Sequence, residues 1–220
     1  MASQSQQQAF DLKIDIGLVG NSDVGKTCLI QKYQYQDNYQ IPLKKQTTLG
    51  IETKVVKLKI QGQMVKVVLW DPAGQERFES MTKQFYQNLD GVMLVFDMTN
   101  EKSYNNLTKW LGQINEIRPC PYVITANKAD LEEQRMICDE QVELIEQKFN
   151  TQCILTSAMT GQNVEEAFNT LINTIIQIKL QKLHKTGSTE QNSPTMTSAS
   201  QKHKNSKIVR KGKKKESKCC

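Results

Sequence analysis

Gly20 to Thr27 reads GNSDVGKT and matches the pattern G-x-x-x-x-G-K-[ST]. Glycines at that spacing let backbone N–H groups wrap phosphate oxygens, the lysine reaches the β and γ groups, and the terminal hydroxyl is suited to Mg²⁺. The loop and the turn after it make Ser22, Asp23, Val24, Gly25, Lys26, Thr27 and Cys28 the candidate phosphate-binding residues, with Lys26 also a candidate catalytic charge. Further along, Trp70 to Phe78 reads WDPAGQERF. There Asp71 is placed to hold Mg²⁺ through water, Gly74 can offer its N–H to a γ-phosphate, and Gln75 can orient a water for in-line attack.

Two more short loops carry recognition chemistry. In NKAD, Asp130 can accept from both the ring N–H and the exocyclic amine of guanine, whereas adenine has no such amine. Lys128 would lay its stem along the base, and Asn127 would tie this loop to the phosphate loop. In TSAM, the backbone groups of Ser157 and Ala158 are placed to close on the guanine carbonyl, with Met159 beside them.

These loops need a scaffold that brings them together. Short β-rich runs alternate with helical-period segments: strand Leu12 to Val19, helix Lys26 to Tyr33, then Ile51 to Ile60 and Met64 to Leu69 as a hairpin. A helix follows, then strand Val92 to Phe96, helix Ser103 to Ile117, strand Tyr122 to Ala126, helix Asp139 to Phe149, strand Cys153 to Ser157 and helix Val164 to about Leu180. Continuous apolar strands such as GVMLVF, alternating with helices, indicate a mainly parallel sheet covered on both faces. Ligands on such sheets sit at the carboxyl ends of the strands, where the four loops fall.

Charge and composition divide the chain. From Gln181 to Cys220 there are 11 Lys+Arg against 2 Asp+Glu and no aromatic ring apart from histidine, while the remainder carries a net charge of −3. A segment with so little to bury is expected to be disordered, giving a Gln-rich disordered start at 1–10, a folded domain at 11–180 and a basic tail at 181–220. No run approaches the length of a membrane span, and MASQSQQQAF lacks the blocks of a signal peptide. The expected place of the protein is therefore the cytosol. Cys28, Cys120, Cys138 and Cys153 are scattered singly and are expected to be reduced.

The loops together resemble the Ras-like small GTPases, and among them the Rab family. The resemblance covers roughly Asp11 to Leu180, through GNSDVGKT, TTLGIE, WDPAGQERF, VFDMT, NKAD and TSAMTGQNVEEAF. It implies a P-loop α/β fold with a six-stranded, mostly parallel sheet, one antiparallel strand and five helices on both faces. It also implies that Thr48 joins Thr27 and Asp71 around Mg²⁺, and that switches at about Gln34 to Gly50 and Ala73 to Asn88 order on GTP and loosen after hydrolysis. Arg77 is routine in the family pattern, so no arginine finger is expected in cis, and unassisted turnover should be on the order of 10⁻⁴ per second.

The implied partners are a nucleotide exchange factor, a GTPase-activating protein, a GDP-dissociation inhibitor with a prenylation escort, and effectors that read the switches. Cys219 and Cys220 look like the Rab signal for two geranylgeranyl groups, since the C-a-a-X position holds Ser217. Lipid-anchored cycling with the cytoplasmic face of intracellular membranes, in vesicle traffic, follows. The tail has no aromatic residues to stack bases, which argues against nucleic acid.

The sequence also departs from the family pattern. Pro72 stands where threonine is usual, Thr53 replaces a phenylalanine, FYQNLD replaces YYRGA and Met159 replaces a lysine. Proline gives up an N–H and biases Asp71 toward extended geometry. A hydrolysis-impaired, GTP-bound membrane scaffold is the alternative that this substitution raises. An ATP-dependent enzyme is a further rival, and Asp130 argues against it.

Overall fold

The computed structural model describes residues 10–38, 48, 50–72 and 82–187. Six strands form one sheet: β1 (Leu12–Val19), β2 (Ile51–Ile60), β3 (Gln63–Pro72), β4 (Gly91–Asp97), β5 (Tyr122–Asn127) and β6 (Cys153–Leu155). Their spatial order is β2-β3-β1-β4-β5-β6. Only β2 runs antiparallel, paired with β3 from Ile60↔Gln63 to Ile51↔Pro72, and every other neighbouring pair is parallel. The hairpin closes through Gln61 and Gly62, both at positive φ, whose twist matches that of the strands.

Around the sheet lie α1 (Lys26–Tyr35), α2 (Thr82–Gln87), α3 (Glu101–Asn105), α4 (Leu107–Ile117), α5 (Asp139–Phe149) and α6 (Val164–Gly187). One apolar layer joins β1 and β3 to α1 and α6 through Ile14, Ile16, Val67, Leu29, Phe168 and Ile172. The other joins β4 and β5 to α2, α4 and α5 through Phe96, Ile124, Tyr86, Trp110 and Ile145. All seven residues of β4 are buried, as a strand covered on both faces requires.

Three elements differ from their sequence expectation. The helix expected over Ser103 to Ile117 is two helices meeting at Asn106, whose side chain is drawn to Asn21 in the phosphate loop at 3.1 Å. The last strand stops at Leu155, because Ser157 N–H turns away to the carbonyl of Gln162. The last helix continues to Gly187, past the point near Leu180 where apolar periodicity ends, so residues 181–187 are helical rather than disordered. Helix-favouring Gln181, Lys182 and Leu183 carry it on.

Cys28, Cys120, Cys138 and Cys153 are free thiols. Burial pushes Cys120 up to about 11 and Cys153 up to about 12, which keeps both protonated and unreactive.

Candidate functional site

Strand order reverses at β1, which has β3 on one side and β4 on the other. Chains leaving β1 and β4 are thus carried to opposite faces, opening a crevice at the carboxyl ends of the strands. Gly20 to Gly25 crosses that crevice. A Cβ on Gly20 would lie 2.1 Å from the carbonyl oxygen of Val95, and one on Gly25, at φ +96°, would lie 2.3 Å from Asn127 Nδ2. Glycine is demanded at both points by close approach.

Gly25 caps α1 without a side-chain hydrogen bond, and the first turn carries no acidic residue. The first intrahelical bond runs from Leu29 N–H to the Gly25 carbonyl at 2.9 Å, so the N–H groups of Lys26, Thr27 and Cys28 precede it. A helix start of this kind suits an anion. Lys26 is buried and spans the loop, donating from Nζ to the carbonyls of Gly20 at 2.9 Å and Asn21 at 2.7 Å. Val24 is buried under the loop, Ser22 is half-buried, and Asp23 stands exposed at φ 66°.

Beside Lys26 three oxygen-bearing side chains meet. Thr27 Oγ1 donates to Asp71 Oδ2 at 2.6 Å, and its only proton being so used, it accepts from Thr48 Oγ1 at 2.9 Å. The other carboxylate oxygen, Asp71 Oδ1, is buried without a hydrogen-bond partner among the described residues. Burial raises the Asp71 carboxyl above the usual range, against the Thr27 hydrogen bond and the Lys26 charge, which lower it. An orphaned buried carboxylate oxygen beside the Thr27 and Thr48 hydroxyls fits a small hard cation. Among the described residues no group of three His, Cys, Asp or Glu could hold a metal. Mg²⁺ itself keeps waters and binds substrate phosphates rather than a protein cage.

On the far side of the crevice Asn127 is buried and joins three segments. Its Nδ2 donates to the Val24 carbonyl at 2.8 Å, while its Oδ1 accepts from Ala158 N–H at 3.2 Å and Thr156 Oγ1 at 3.4 Å. Lys128, at φ 66°, stretches to Asp97 Oδ2 at 2.5 Å, which fixes its methylene stem across the end of β4. Asp130 Oδ1 accepts from the buried Ser157 hydroxyl at 2.5 Å.

The geometry adds two details to the base side of the crevice. Asp130 is exposed, its carboxylate open to a base edge beside the Ser157 hydroxyl. Ser157 N–H, expected to face the guanine carbonyl, is already given to the Gln162 carbonyl at 3.1 Å, while its hydroxyl goes to Asp130. Ala158 N–H, held only by the longer bond to Asn127, is the backbone donor that a base oxygen can compete for. Met159 is 60% exposed at the rim.

Two contributors were not found by reading motifs. Asp97 was marked only by a carboxylate ending a wholly apolar strand. Asn21 Oδ1 accepts from Trp110 Nε1 at 2.9 Å and from Asn106 Nδ2, fastening the phosphate loop to α4, and no local pattern signals a contact so distant in sequence. Gly74, Gln75, Arg77, Cys219 and Cys220 lie outside the described residues, as does most of both expected switch segments.

Residues 15–177 match the model of the Ras family. Among similar proteins, Ras-related protein Rab-15 of Rattus norvegicus is 31% identical over 79% of this chain and 82% of its own length. Ras-related protein Rab-13 of Mesocricetus auratus is 36% identical over 77% and 83%, and Ras-related protein Rab-8B of Pongo abelii 32% identical over 90% and 96%.

Proposed function

This chain belongs to the Ras family, as a Rab small GTPase that binds GTP and GDP with Mg²⁺, hydrolyses GTP and serves membrane-associated vesicle trafficking with regulators and effectors, and from that membership we propose how its residues divide the work. The meeting of Thr27, Thr48 and Asp71 beside Lys26, with one buried carboxylate oxygen left over, carries the reading. Thr27 and Thr48 would ligate Mg²⁺ directly and Asp71 through water. Bound there, Mg²⁺ neutralises charge on the β and γ oxygens.

Lys26 then exchanges its loop carbonyls for those oxygens, and the first-turn N–H groups of α1 hold them in place. Gln75 orients the attacking water and Gly74 N–H meets the γ-phosphate. Asp130, braced by Ser157, reads the guanine amine and ring N–H, Lys128 covers the base with its stem, and Ala158 N–H takes the carbonyl. Residues 11–187, through the end of α6, act as the GTPase domain and the residues after them as the membrane-reaching tail, with geranylgeranyl groups on Cys219 and Cys220. No helix among the described residues is long and apolar enough to cross a membrane; the lipid groups with the basic run would supply the two signals that stable anchoring takes. The partners are an exchange factor, an activating protein, and a GDP-dissociation inhibitor with its prenylation escort.

No observation favours a hydrolysis-impaired scaffold. The last residue of β3, Pro72, is paired opposite Ile51, a place where proline fits.

The test is single-turnover hydrolysis of GTP by the full chain with Mg²⁺, beside Gln75→Leu. Turnover on the order of 10⁻⁴ per second is expected for the parent, with Gln75→Leu slower and ATP unable to displace labelled GDP. Equal rates for parent and variant would remove Gln75 from the mechanism, and displacement by ATP would remove Asp130 from base selection.

A further inference from the structure

Register aligns Lys13 of β1, Lys66 of β3 and Lys57 of β2 in one row across adjacent strands, with Lys59 two residues along β2 on the same face. The opposite face of these strands, through Val56, Leu58, Val65 and Val67, is packed under α1 and α6, so the lysines point away from the core. Lys13 is compensated by Asp15 at 2.9 Å. Lys57, Lys59 and Lys66 have no ion pair among the described residues, and Lys57 and Lys66 share only the ring of Phe10, at 5.4 and 5.8 Å.

Like charges directly opposite on neighbouring strands are destabilising. A lysine on edge strand β2 could serve only to block edge-to-edge pairing. Lys66 is on β3, flanked on both sides, and edge protection does not account for it.

The row lies at the start of β1, opposite the end that carries the nucleotide loops. The final helix comes down to the same end: Lys179 Nζ donates to the Lys13 carbonyl at 3.0 Å and pairs with Asp90 at 2.9 Å. Eight residues later α6 ends at Gly187, and the chain goes on into a segment with nine Lys/Arg and one acidic residue between Lys202 and Lys218. The described chain thus ends beyond the same end of the sheet as the lysine row, with α6 packed on the other face.

We propose that this outer face of β1–β3, through Lys57, Lys59 and Lys66, is a contact surface for anionic phospholipid headgroups and seats the folded domain on the bilayer its tail reaches. The occupant follows from charge complementarity and from where the basic tail leaves the domain. The proposal rests on the membrane-attachment reading above, yet the two can fail separately. Ammonium groups near an anionic leaflet attract it within about a Debye length, roughly 8 Å at physiological salt. Phe10, between two of the lysines, adds an apolar edge suited to the headgroup region.

The test uses the GDP-loaded full chain, before and after prenyl transfer, with phosphatidylcholine vesicles with and without phosphatidylserine. The variants are Lys57→Gln/Lys59→Gln/Lys66→Gln and the matching triple Lys→Arg, with GDP affinity verifying the fold. The unprenylated triple Gln chain should bind phosphatidylserine vesicles at least about tenfold more weakly than the parent. The Arg variant should bind like the parent, salt should erase the difference, and phosphatidylcholine binding should be unchanged. Equal binding of parent and Gln variant to phosphatidylserine vesicles overturns the proposal, as does a loss confined to RNA or to self-association. Failure of Cys219 and Cys220 to accept prenyl groups, or of the prenylated parent to stay on phosphatidylcholine vesicles, would defeat the anchoring reading alone. The lysine dependence of the unprenylated chain is measured independently of it.

Discussion

The two sides of the nucleotide crevice are built on different terms. On the guanine side, Asn127, Lys128 and Asp130 each rest on a protein partner: Val24, Asp97 and Ser157. Those partners come mostly from the ends of hydrogen-bonded neighbours, with Asp97 directly opposite Asn127 and Leu155 opposite Ala126. On the metal side, Thr27 comes from a helix start, Asp71 from the end of β3 and Thr48 from between α1 and β2, and Asp71 Oδ1 has no described partner. One side is largely pre-organised by the sheet, with the Ala158 N–H to Asn127 bond the one contact a base would draw on. The other holds polar capacity in reserve for a cation and phosphates, which is where a response to the γ-phosphate has to originate.

If that contrast holds, the largest effect belongs to the pre-organised side. Asp130→Asn keeps the shape and the reach to Ser157, but it puts an amide donor in front of guanine donors. A site built to hydrogen-bond a group discriminates by roughly 10⁴-fold when the match is lost, and a loss of GDP affinity on the order of 10³-fold or more is expected by labelled-GDP equilibrium binding. A loss below about tenfold would show that the phosphate side alone holds the nucleotide and would break the comparison.

The metal side should respond more weakly and with opposite signs for binding and stability. Asp71→Asn should lower Mg²⁺ affinity by about 10- to 100-fold, as expected of a group acting through a bound water, read from the Mg²⁺ dependence of GDP release. Without Mg²⁺ the same variant should melt higher. Burial raises the Asp71 carboxyl, so the ionised form is the disfavoured one in the fold. Its penalty is absent below the unfolded carboxylate pKa and complete above the raised folded value. Metal-free stability of the parent should thus fall as pH rises through that interval, and the variant should lack this component. A variant that melts lower at neutral pH would mean that the Thr27 hydrogen bond outweighs burial.

Legibility in the sequence follows the same division. β1, β4 and the phosphate loop were readable because largely apolar strands and glycines demanded by close approach leave local signals. The order β2-β3-β1-β4-β5-β6 brings in what those signals cannot contain. The break at Asn106 depends on Asn21, far away in the chain, since nothing in SYNNLTKW requires a helix to stop. The end of α6 was misplaced because loss of apolar period was read as loss of helix, whereas Gln181 to Leu183 favour helix with or without a core to face. The exposure of Asp130 could not be seen from NKAD, which names a chemical group without its surroundings.

Pro72 is the smallest expected effect and the sharpest probe of the metal side. It follows Asp71 directly, so a rigid loop would first disturb the Mg²⁺ constellation. Yet the last pair between β3 and β1 is Gly17↔Trp70, while β2 stays paired with β3 through Ile51↔Pro72. At that position β3 has a ladder on one side only, and a proline can be accommodated there. The extended bias it places on Asp71 is the geometry the strand already imposes. Pro72→Thr should therefore change single-turnover hydrolysis by no more than about twofold, and it should lower stability by about 0.4–1 kcal/mol through the freer unfolded chain. A tenfold or greater rise in rate would assign the proline a restraint on the segment that follows it. The metal side would then be held back by its own backbone, and the contrast between a finished guanine side and a waiting metal side would need restating as one between two rigid halves.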